Sequence, residues 1–118
     1  MDELLDRLVG KVGVDRDAAE KAVGIILAFL IEEGPSDKVQ ALIKEMPGAD
    51  AAMQTAAGEG GLGMGGIMGV GSKLMAAGLG IGQIRGATHE LIDFAGEKLG
   101  KDAAHAIVGA VPGIGQFV

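Results

Sequence analysis

The stretch "GEGGLGMGGIMGVGSKLMAAGLGIGQIRG", residues 58–86, decides the fold. Twelve of its 29 residues are glycine, and most of the others are Leu, Ile, Met, Val and Ala. A flexible linker mixes glycine with serine and other polar residues. Here Leu62, Met64, Ile67, Met68, Val70, Leu74, Met75, Leu79 and Ile81 need burial instead. The glycines are also regularly placed: Gly61, Gly65 and Gly69 recur at every fourth position, and so do Gly78, Gly82 and Gly86. On a helix, residues four apart share a face, so each set forms a bare groove that a neighbouring helix can approach closely. Glycine in a helix costs about 0.5–1 kcal/mol relative to Ala, which makes residues 58–66 a loop. One helix follows from Ile67 to Ala77, and the second glycine set opens the next.

Outward from this stretch the chain reads as helices with clear punctuation. "DELLDRLVGKVG" places Leu4, Leu5, Leu8, Val9 and Val12 on one side, with Asp2 as a cap and Gly13 as the stop. Asp15 or Asp17 opens a helix over residues 18–33 that is apolar nearly all round from Ala22 to Ile31, the mark of a central buried helix. Gly34-Pro35 ends it. Ser36 caps "SDKVQALIKEM", with a stripe of Val39, Leu42, Ile43 and Met46, and Pro47-Gly48 stops that. "ADAAMQTAA" is a short helix leading into the glycines. Beyond them, Ile84, Ala87, Leu91, Ala95 and Leu99 follow helical spacing, Gly100 closes the helix, and "DAAHAIVGAV" forms the last one before Pro112-Gly113.

An internal echo links the two flanks. "SDKVQALIKEMPG" (36–48) and "KDAAHAIVGAVPG" (101–113) align without gaps, and at the same offset Phe29 faces Phe94 and Glu32 faces Glu97. Two related helical hairpins, or convergent capping grammar, would each produce this match. The architecture expected is all-α: one compact domain over residues 1–118, with five to seven short helices. An N-terminal half (1–57) and a C-terminal half (67–118) flank the loop. The expected core is Leu8, Val23, Ile26, Leu27, Leu30, Leu42, Ile43, Leu74, Leu91 and Phe94.

The segments "GVDRDAAEKAVGIILAFL", "ALIKEMPGADAAM" and "AAGLGIGQIRGATHELIDFAGEKLG", with a Gly/Leu-rich middle, resemble the bacterial VcgC/VcgE-like family of unknown function. The "PGAD" after the third helix and the glycine-rich bridge carry the likeness. It implies a small all-helical domain with no assigned activity and no catalytic residues to transfer.

Composition removes several function classes. The formal charge is −6, which opposes nucleic-acid binding through Lys and Arg and docking on anionic lipid. No cysteine is present, so disulfides, thiolate metal sites and thiol nucleophiles are absent. The acidic start "MDELLDRLVG" lacks the basic and apolar regions of a secretory signal, and a cytoplasmic location is expected. Gly58-x-Gly60-x-x-Gly63 and Gly61-x-Gly63-x-x-Gly66 fit the dinucleotide spacing, but that mechanism needs a preceding strand, and "GVGSKL" lacks the phosphate-loop order. His89 and Asp93 lie one helical turn apart, with Glu90 or Asp102 as a third candidate ligand, and metal sites usually need three or four ligands. Ser36 is explained as a cap, and Glu32-Glu33 as a solvated helix end.

No enzyme activity, cofactor or metal is expected. The function expected is a bacterial protein–protein interaction or self-assembly module, packed through the glycine zippers Gly61, Gly65, Gly69, Gly78, Gly82 and Gly86. One alternative is a membrane-active or stress-related protein whose Gly/Met-rich hairpin inserts transiently. A stable span over 61–82 is opposed by Lys73, at about +2.5–3.5 kcal/mol on insertion scales. A second alternative is a small-molecule binder using His89.

Overall fold

Helix α2, Arg16–Glu33, is the axis of the molecule, and its sequence explains why. Ala22, Val23, Ile25, Ile26, Leu27, Phe29 and Leu30 are all buried, so it is surrounded by protein on most of its circumference. The first helical hydrogen bond runs from the Ala19 N–H to the Asp15 carbonyl at 2.8 Å, which makes Asp15 the helix-opening residue. In this computed structural model the described residues are 2–33, 36–46, 48–49, 51 and 66–110.

Those residues form six helices and no strand, in a single all-α bundle. α1 is Asp2–Arg7, continued by a π-helical turn over Leu8–Val12. After α2 come α3 (Ser36–Lys44), α4 (Gly66–Ala76), α5 (Ile81–Leu99) and α6 (Lys101–Ala110). The short helix expected over 49–57 lies outside the described residues except at Ala49 and Ala51. Residues 58–65 of the expected loop lie outside them too, whereas Gly66 is already the first residue of α4.

One apolar core unites both halves. Nine of the ten expected core residues are buried, from Leu8 to Phe94; Ile43 is only partly buried and packs at the core's edge. Two other expectations fail on the apolar side chains. Val9 is 42% exposed, because the i→i+5 turn widens the helix there and rotates the residues that follow Leu8. Met75 and Ile81, expected to need burial, are 51% and 61% exposed, because they flank the corner between α4 and α5 on its outer side. The buried hydroxyl of Thr88 donates to the Ile84 carbonyl at 2.9 Å, so α5 carries a satisfied polar group in its apolar face.

The helical hairpins on either side of the glycine region repeat in layout. α2–α3 and α5–α6 begin at corresponding positions, at the spacing that separates Gly13 from Gly78. Gly13 (φ +84°) and Gly78 (φ +104°) both take the left-handed conformation that ends a helix. Val14 and Leu79, Ala22 and Ala87, Phe29 and Phe94, Val39 and Ala104, and Leu42 and Ile107 correspond at this spacing, and all ten are buried. Each repeat is thus a short helix, a glycine turn and a helical hairpin.

Each short helix reaches across to the long helix of the other repeat. α1 lies against both α2 and α5, its π-turn more against α5 of the second repeat, and α4 lies mainly against α2 of the first. The bundle is therefore interlocked through its two glycine turns, instead of being two hairpins set side by side.

Candidate functional site

The glycine expectation leads to the seam where α1 crosses α5. Of the second zipper set, only Gly86 meets another helix: a Cβ there would lie 3.0 Å from Val12 Cγ2 and 3.3 Å from Cγ1. Glycine is what lets the π-turn sit this close to α5. Gly82 has open space where its Cβ would be. Gly78 is not on a helix at all. It forms the left-handed turn between α4 and α5, so Gly78, Gly82 and Gly86 do not make one helical groove. The spacing rule fails because the helix starts only at Ile81, after a break that periodicity cannot register. Of the first set, Gly61 and Gly65 lie outside the described residues and Gly69 falls within α4.

Polar contacts pin both ends of the seam. At the hinge, the Gly80 N–H donates to Gln83 Oε1 at 2.9 Å, and Gln83 Nε2 donates to the Gly13 carbonyl at 3.2 Å. One side chain thus caps α5 and holds the turn that ends α1. At the far end, Arg7 grips Glu97 with both terminal nitrogens, the longer contact being 2.7 Å, and also reaches Glu3 at 3.2 Å. Lys98 lies 3.8 Å from Glu3, and Lys11 lies 3.9 Å from Glu90. The Arg7 and Lys98 cations sit 5.7 and 5.3 Å from the centre of the Phe94 ring. The hydrogen bond from Arg7 holds the Glu97 carboxyl below its ordinary range and pushes the Arg7 guanidinium up.

Beside the seam, an open cleft of about 360 Å³ is lined by Gly82, Arg85 and His89 and closed on one side by Lys11 and Val12. His89 Nε2 lies 3.1 Å from Asp93 Oδ2, with both side chains more than half exposed. Glu90, a candidate third ligand, faces Lys11 instead, and among the described residues no three His, Asp or Glu side chains converge as a metal set. His105 lines a second cleft, of about 650 Å³, between α5 and α6 with Asp93 and Lys101. Neither cleft brings a nucleophile, base and orienting group into hydrogen-bonding reach.

Sequence reasoning did not find Gln83 or Arg7, and it placed Val12 on an apolar face without its seat on Gly86. Gln83 had a signal, three residues after the turn residue Gly80 and at the helix start. Arg7 with Glu97 and Val12 with Gly86 join positions far apart in the chain and had none. No family model matches the chain, and neither a curated protein nor a solved structure matches it. Among the described residues, no helix is long and apolar enough to cross a membrane.

Proposed function

We propose that this protein is a non-enzymatic self-association module, working in the cytoplasm of a bacterium. The VcgC/VcgE-like resemblance, which implies no activity, is part of the same reading. The observation that carries it is the corner between α4 and α5. Met75 and Ile81 are the two most exposed large apolar side chains among the described residues, and Gly82 beside Ile81 offers open backbone. Uncovered apolar groups next to bare helix backbone suit another protein surface.

Absolute mass by light scattering, followed over a hundredfold dilution, tests it. A dimer or higher oligomer is expected that dissociates on dilution. Gly82→Leu should weaken that assembly at least tenfold while leaving the helical content intact, because the new side chain points into open space and not into the bundle. A wild-type monomer at every concentration would end the reading.

A further inference from the structure

We infer that the partner is a second copy of this chain, and that the two copies associate by exchanging α1. The inference rests on the self-association reading and names its mechanism. Reciprocal exchange of an identical element is a low-cost route to a dimer, since every contact it makes already exists in the monomer.

Three features single out α1. First, its docking surface includes α5, which is remote in sequence, as well as its own neighbour α2, to which Asp6 is tied by Arg16 at 3.0 Å. Leu4, Leu5 and Leu8 are buried, Val12 fits over Gly86, and Arg7, Lys11 and Glu3 pair with Glu97, Glu90 and Lys98 of α5. None of these contacts depends on the two helices belonging to one chain. Second, the connection to α2 is only Gly13, Val14 and Asp15. It is built around a left-handed Gly13, directly after a π-turn that closes through the Gly13 N–H on the Leu8 carbonyl at 3.1 Å. Both irregularities are local departures from a continuous helix. Opening the hinge would join α1 to α2 with ordinary helical geometry. Third, each short helix already reaches across to the other repeat: α4 is seated on α2, and α1 with its π-turn packs on α5 as well as on α2.

The exposed corner fits the same mechanism. Gln83 bonds to the hinge carbonyl of Gly13, so the hinge lies against the start of α5, next to Ile81 and Gly82. In an exchanged dimer two hinges pass each other at this corner. The apolar groups left open in the monomer then become the contact between the crossing segments. Bulk at Gly82 would obstruct that crossing without touching the closed fold.

The absence of native cysteine allows a direct test. Val12 Cβ lies 3.6 Å from the position of a Cβ on Gly86, within the range a disulfide needs. Full-length Val12→Cys and Gly86→Cys chains are unfolded together, refolded at high concentration and oxidised. The expected product is a disulfide-linked heterodimer in at least fivefold excess over either homodimer. If the mixture gives no such excess, and the doubly substituted chain closes only on itself at every concentration, α1 exchange is overturned. An oligomer by light scattering in that case leaves association through the outer corner standing; a monomer removes both. A second variant guards against misfolding of the cysteine chains. Gly13→Ala strains the closed turn and not the open hinge, and should raise the dimer association constant by roughly tenfold. An unchanged or lowered constant would overturn the exchange independently.

Discussion

α1 on α5 and α4 on α2 are the same architectural contact made with different chemistry. α1, with its π-turn, reads "DELLDRLVGKV" and carries five charged residues; α4 reads "GIMGVGSKLMA" and carries one, Lys73. In the first seam the glycine is on the receiving helix, Gly86, and the bulk is on the short element, Val12. At the corresponding positions of the second repeat pair stand Lys21 on α2 and Ala77 after α4. The first seam is held by leucines and framed by ion pairs. The second rests on an apolar, glycine-rich helix with no carboxylate. Tertiary position is therefore shared, while the response to salt, pH and bulk is not.

The strongest way to break this comparison is to remove one leucine from each seam. Leu8 and Leu74 are both fully buried. Leu8→Ala and Leu74→Ala should each cost about 2–5 kcal/mol, through lost transfer energy and the cavity left behind. Urea denaturation monitored by circular dichroism measures both. If Leu74→Ala is nearly silent while Leu8→Ala is not, α4 is an appendage and the two seams are not equivalent.

A smaller effect separates Gly86 from Gly82 on the same helix. Gly86→Ala places a methyl against Val12, and overpacking of this kind costs about 1–3 kcal/mol, offset in part by helix propensity. Gly82→Ala meets nothing and should stabilise by up to about 1 kcal/mol. Adding Val12→Ala to Gly86→Ala should recover part of the loss. Equal effects of the two alanines would mean that the seam is not closely packed at Gly86.

The smallest effect is electrostatic. Arg7 holds Glu97 below the ordinary carboxylate value of about 4.3. A carboxylate lowered in the folded state contributes stability that is present above its unfolded value and lost as pH falls through its folded value. Acidification should thus loosen α1 before α4, seen as faster hydrogen exchange of α1 amides, and Arg7→Ala should abolish that difference. Glu97 is half exposed, so the contribution is modest and should fade in high salt. Exchange that rises equally in both helices would remove electrostatics from the distinction.

Much of this was legible locally. Gly13 and Gly100 mark helix ends because each takes a positive φ, where a side chain is disfavoured. Leu42, Leu91 and Phe94 announce the core by helical spacing. The echo of residues 36–48 in 101–113 points to the paired hairpins. The glycine zippers were only partly legible. A four-residue spacing states which residues would share a face if the helix were continuous, and the turn at Gly78 breaks that premise.

The sequence by itself determined helix content, most helix ends, the apolar core and the correspondence of the two hairpins. Each of these follows from backbone preference and periodicity within a few turns of chain. Only the tertiary structure decided that the short helices cross to the opposite repeat, that Val12 seats on Gly86, and that Arg7 closes on Glu97. Those choices depend on surface fit and charge between segments remote in sequence, and no local pattern encodes which of two similar long helices a short one will cover.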